Sequence, residues 1–203
     1  MSIRDDIFPT NQHPDFVQTQ WAKGWGYTVI GFGDAARMLT EEREKMHASV
    51  DQIGLAVFYL QRHRVELVMK QALVDLGEDP LAVANMKHNL AALWRRLGEV
   101  VRAIAPKHWQ DLDGQHGEFV VAIHEADEGS FSYRYPIDMK GAEAKRKPFI
   151  DLDALQRHAD DFENGVVGYT DWIAELRQEE REYEAEMARE YEAEMAREYQ
   201  PDF

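Results

Sequence analysis

Three short stretches carry the side chains best suited to chemistry. In LQRHRVELVMK, Arg62, Glu66 and Lys70 lie four apart, so on a helix they share one face, with His63 beside them. The residues around them are strongly apolar. Charges buried in such a setting are costly unless they pair. The cluster therefore reads either as an ion network that fixes helix packing or as a charged group facing a ligand. His88, in KHNLAALW, stands at a helix start and reads as a cap or an interhelical contact as readily as a ligand contact. Arg134, between Tyr133 and Tyr135 and just before Pro136, offers a planar guanidinium fork. Such a fork suits a phosphate or carboxylate, and equally a backbone carbonyl.

The elements that must position these groups all read as helices. Apolar spacing through Tyr27, Ile30, Phe32, Ala35, Ala36 and Leu39 predicts a short helix over 21–39, weakened by its glycines. Thr40 is a candidate N-cap for a long helical pattern that runs to about Leu76, with Gly54 as the expected bend. Gly77, followed by Glu78, Asp79 and Pro80, stops it. Further helices are expected from about Asn89 to Ile104, ended by Pro106, from Gly117 to Asp127, and from Asp151 through Trp172 to Leu176. The stretch between Glu128 and Pro148 reads as a loop, in which alternating Phe131, Tyr133 and Tyr135 predict a short extended piece. The fold class expected is all-α: an antiparallel helical bundle with a long acidic C-terminal helical extension. Its divisions are an N-terminal arm over 1–20, a helical domain over 21–176 and an acidic tail over 177–203.

That tail contains a duplication, REYEAEMA at 181–188 and again at 189–196, with a third copy begun at Arg197. Tyr183, Met187, Tyr191, Met195 and Tyr199 recur every four residues, a stripe that winds around a helix because each step overshoots a full turn by about 40°. It reads as a solvated helical extension or as a helix that binds a partner or a second copy.

Composition limits the chemistry. With no cysteine, the chain has no disulfide framework, thiolate metal site or cysteine nucleophile. A net charge of −15 argues against a long nucleic-acid groove, which needs a basic surface. The start, MSIRDDIFPT, lacks an apolar signal region, and no stretch reaches about 20 uncharged apolar residues. A cytoplasmic protein with no membrane contact is expected. Gly31-Phe32-Gly33 lacks the third glycine of a dinucleotide fingerprint, Ser130 has no nucleophile-elbow setting, and His124, Glu125 and Asp127 read as a solvated face. No metal and no cofactor is expected.

Taken in order, Glu66-Leu67-Val68-Met69-Lys70, His88-Asn89-Leu90 and Arg134-Tyr135-Pro136 resemble the ELxxK, HxL and RYP elements of the HEPN superfamily. The resemblance covers roughly Gly54 to Gly141. It implies an antiparallel helical bundle that commonly dimerises, in prokaryotic toxin–antitoxin, antiviral defence or RNA-processing systems. On this reading a nucleotide or short RNA would be gripped by Arg62, Lys70, His88 and Arg134, with His63, Glu66 and Tyr135 in the same site, and the acidic tail would hold a cognate protein. Many such domains are metal-independent ribonucleases that use an arginine followed four to six residues later by a histidine. Here Arg102 and His108 have that spacing. The arginine would steady the cleaved phosphate and the histidine would assist attack by the 2′-hydroxyl. Ala103 stands where a polar residue is usual, and Pro106 falls between the pair. A noncatalytic helical scaffold is the remaining alternative.

Overall fold

The computed structural model describes residues 25–45, 49–138 and 140–198. The expected N-terminal arm and Tyr199 lie outside them. The described residues form six α-helices and no strand. In chain order these are α1 (Trp25–Glu41), α2 (Val50–Asp75), α3 (Pro80–Asn85), α4 (Leu90–Ile104), α5 (Pro106–Ala126) and α6 (Leu152–Glu198).

Local signals set most of the boundaries. Ser49 and Gln52 form a reciprocal capping box at the start of α2. Thr40 is therefore not the cap expected for this helix. It lies inside α1, where its hydroxyl donates to the carbonyl of Ala36 at 2.9 Å, and the 41–76 pattern divides at Ser49 rather than bending at Gly54. Gly77 ends α2 in the left-handed region at φ 97°. Asp79 caps α3 and Asn89 caps α4, each accepting a backbone N–H three residues on. Pro106, expected only to stop α4, also occupies the first turn of α5, where its missing N–H is not needed. α5 consequently begins eleven residues earlier than the apolar spacing alone predicts.

Helix α2 is the axis of the bundle, with every residue from Arg64 to Lys70 buried. α1 runs antiparallel to it, since Gly26 meets Gln71 while Gly33 meets Arg64. α6 runs parallel to it: Gln61 bonds Gln156, Arg64 bonds Asp160, and Arg177 donates to the carbonyl of Leu76 at 2.9 Å. α4 and α5 form an antiparallel hairpin closed by Trp94 against Trp109 and by the Trp94 indole N–H on Asp113. Phe162 of α6 packs against Trp94 and Phe119, so one aromatic cluster joins three helices.

Two close approaches depend on glycine. A Cβ at Gly98 would stand 2.6 Å from the Trp109 ring, and one at Gly165 would stand 2.3 Å from Nε2 of buried His116. At mid-helix Gly114 a Cβ would meet nothing within 4 Å. Gly98→Ala and Gly165→Ala are expected to lower stability by about 1–3 kcal/mol through overpacking, whereas Gly114→Ala raises it by about 0.5–1 kcal/mol through helix propensity. Urea unfolding of the three variants checks this ordering, and a stabilised Gly165→Ala would refute the packing.

The loop 127–151 is not extended at its aromatic residues. Residues 132–134 form turns, Phe131 stacks on Tyr135, and Tyr133 is buried against Phe58 at a centroid distance of 3.8 Å. Asp127 causes this: its Oδ1 accepts the N–H groups of Phe131 and Ser132, winding the chain back on itself. Asp127 is buried, which corrects its reading as part of a solvated face.

Helix α6 has 47 residues, about 70 Å at ~1.5 Å per residue. From Gln178 to Met195 every residue is exposed. The last tie to the bundle is that of Arg177, beyond which the helix continues as a projecting arm.

Candidate functional site

Helix α2 places Arg62, Glu66 and Lys70 on one face at successive four-residue steps, as their spacing predicts. That face is internal: Arg62 is 0% exposed and Glu66 1%. The Glu66 carboxylate accepts from Lys70 Nζ at 2.7 Å and from Arg62 Nη1 at 3.4 Å, and lies 3.0 Å from His88 Nδ1. His63 Nδ1 is 3.9 Å away, in electrostatic contact beyond hydrogen-bond reach.

Arg62 reaches out of its own helix in the other direction. Its Nε donates to the carbonyl of Asp127 at 2.9 Å, and its Nη2 donates to the carbonyls of His88 at 2.7 Å and Glu128 at 3.5 Å. The Asp127 carboxylate stands 3.7 Å from Nε. One guanidinium thus ties α2 to the start of α4 and to the end of α5, using the planar fork that only arginine provides. Two cations, Arg62 and Lys70, face two carboxylates, Glu66 and Asp127, so the buried group balances its charge.

The pKa of Glu66 reflects this setting. Burial pushes it up, but the nearby His63 imidazole, with Lys70 and His88 in hydrogen-bond contact, more than offsets that and holds it at about 2. Arg62 is pushed down by burial, against the opposing attraction of Asp127 and Glu66. Lys70 Nζ also lies 5.4 Å from the centroid of the Trp25 ring.

Only the rim of this group reaches the surface. The His88 side chain is 48% exposed, and with Nδ1 on Glu66 its Nε2 is the nitrogen left for solvent. His63 is half-buried between Phe32 and Tyr59. Arg134 is exposed: Nε and Nη2 both donate to the carbonyl of Ser130, and the guanidinium lies between the Tyr59 and Tyr135 rings, at 5.3 and 5.6 Å from their centroids. Ser130 lies in the turn that Asp127 organises, so Arg134 joins the rim without contacting Glu66.

Arg102 and His108 each pack on a different aromatic side chain. Arg102 ends α4, exposed, with its guanidinium 5.0 Å over the Trp109 ring. His108 opens α5 and packs on Trp172 of α6 at 4.1 Å. It lines an open groove of about 410 Å³ with Asn164, Gly165, Gly168, Tyr169 and Trp172. The corner at Ala105–Pro106 places the two side chains on different helices.

Spacing alone does not reveal two members of the charged interior. Asp127 could be signalled by an acidic residue closing a helix just before Gly129 and Ser130, an Asx-type turn setting. Arg64 has no comparable signal. It is buried on the opposite side of α2 from Arg62, where it bonds Asp160 at 2.7 Å and also Glu163. Asp160 is held below the usual carboxylate range; burial opposes this, and Gln156 and Arg64 prevail.

The fold and site together define an all-α bundle braced by buried ion networks. No family model, no curated protein and no solved structure matches the chain.

Proposed function

We propose that this chain is a noncatalytic HEPN-like helical module that works by protein–protein contact, in a prokaryotic defence or toxin–antitoxin setting, with its acidic arm as the contact element. The observation that carries the reading is the engagement of the Arg62 cluster. Arg62 uses Nε, Nη1 and Nη2 on internal acceptors, and Lys70 is buried on Glu66, so neither cation is presented to a phosphate. A nucleotide or RNA would have only Arg134 and the rim histidines, and Arg134 is already held by Ser130. The arm, by contrast, offers Tyr183, Met187, Tyr191 and Met195 to solvent on a stretch of α6 that is exposed at every residue from Gln178 to Met195.

The test is RNA degradation by the purified protein in EDTA, with Arg102→Ala and His108→Ala alongside. No cleavage is expected from any of the three. Metal-independent cleavage lost in both variants would establish a ribonuclease and overturn the reading. A chain ended after Arg177 should keep the melting temperature of the bundle while losing its cognate partner. Retention of that partner by the shortened chain would remove the arm from the proposal.

A further inference from the structure

The arm of α6 is built from rows of residues that step by four, and successive rows lie about 100° apart around the helix. Tyr183, Met187, Tyr191 and Met195 form the apolar row, 44 to 65% exposed. Glu182, Glu186, Glu190 and Glu194 fill the row on one side of it without interruption. Glu184 and Glu192, alternating with Ala188, make the row on the other side. Arg181 and Arg189, separated by Ala185, run along the back of the helix, about 160° from the apolar row. The tyrosines and methionines are thus rimmed on both sides by carboxylates alone. The bundle covers none of this surface, since every residue from Gln178 to Met195 is exposed.

The rows select the occupant. Large apolar groups exposed in a line mark an interaction surface, so a partner supplies apolar groups of its own. The rims then decide its charge. A neutral or acidic partner would cover six glutamates without pairing them, which is costly. A second copy of the arm fails on the same ground, because rim would meet rim. Like charges four apart also weaken the free helix, and cations set between them relieve it. The inclination of the row limits the partner's extent. A helix seated on a row that steps by four crosses at about −50° rather than lying lengthwise, so one crossing spans about two turns. That is the length of one octad. The octad occurs twice, at 181–188 and 189–196, which offers the same contact twice, about 12 Å apart.

We propose that the arm is a docking surface for basic amphipathic helices, one to each octad. Apolar side chains of the partner seat on Tyr183 and Met187, or on Tyr191 and Met195. Its lysines or arginines pair with the glutamate rims on either side. The proposal rests on the arm being the contact element, and it adds the chemistry and the number of what the arm holds. Each crossing is a small interface, so each contact alone is weak and the pair of octads favours a partner that presents two such helices.

The probe is a synthetic helix-forming peptide of about 16 residues, with leucine every fourth residue and lysine in the rows beside it. Titrated into the full chain in a calorimeter, it is expected to bind at two peptides per chain, and at one per chain when 189–196 are deleted. Added salt should weaken the binding. A peptide with glutamate in place of lysine should not bind. Changing Tyr183, Met187, Tyr191 and Met195 together to alanine leaves the charge as it was and keeps the arm helical. That variant is expected to lose about tenfold or more in affinity. No binding by the full chain, or binding undiminished in the alanine variant or in a chain ended after Arg177, would overturn the proposal. A single peptide per full chain would overturn the assignment of one helix to each octad. Should the shortened chain lose its cognate partner while the peptide fails to bind the full chain, this proposal falls and the arm's contact role stands. A cognate partner kept by the shortened chain removes the role itself.

Discussion

Glu66→Ala is expected to lower the unfolding free energy by about 3–5 kcal/mol, because it leaves buried cations without their counter-charge. Lys70 Nζ loses the only hydrogen bond its side chain makes among the described residues, and Arg62 keeps its three carbonyl acceptors but loses the carboxylate at 3.4 Å. Folded domains are commonly stable by about 5–15 kcal/mol, so this one change takes a large share. Urea unfolding checks it, with the loss read as a lower midpoint at unchanged slope. Replacing the group together, as Arg62→Met with Glu66→Leu and Lys70→Met, should recover much of the loss, since apolar side chains of similar volume need no partners. A Glu66→Ala protein within about 1 kcal/mol of the wild type would mean that the network does not brace the bundle. A structural network and a ligand grip differ here: the grip would cost affinity and leave the melt unchanged.

The second large effect is acid lability. Glu66 has its pKa held at about 2 in the folded chain against an ordinary value of 4.5. Because the folded value is the lower one, the carboxylate's contribution is fully present above about pH 4.5 and is lost as pH falls through about 2. The difference corresponds to roughly 3 kcal/mol at ~1.4 kcal/mol per pKa unit. Asp160, also lowered, works in the same direction. Melting temperature followed between pH 5 and pH 2 should fall steadily, and Glu66→Gln, which cannot ionise, should start lower and fall less. Identical acid limbs in the two proteins would show that Glu66 does not carry the titration.

Both effects arise from residues that were visible in the sequence, yet their meaning was not. The four-residue spacing of Arg62, Glu66 and Lys70 requires a shared helix face and allows an ion network, because i,i+4 geometry is local. Whether that face looks inward or toward a ligand depends on what lies opposite, and the partners of Arg62 come from 26, 65 and 66 residues away. The competition at the start of α2 is similar. Ser49-Val50-Asp51-Gln52 has the capping-box pattern and Thr40 has only the residue type. Thr40 was a plausible cap until the tertiary packing of α1 on α2 carried the first helix past it. Pro106 is both a terminator and an initiator, and only the helical hairpin, with Trp94 reaching Trp109 and Asp113, decides that it is both.

By itself the sequence determined the all-helical character, the stops at Gly77 and Pro106, and the acidic repeat of α6. Each of these rests on interactions spanning one or two turns, where the nearest residues in the chain are also the nearest in space. The tertiary structure alone decided that Arg62 is enclosed by His88 and Asp127, that Arg64 is matched by Asp160 and Glu163, and that Arg102 and His108 point to different aromatic partners. These are facts about which distant segments become neighbours, and hydrophobic spacing records that a face is apolar without recording what covers it.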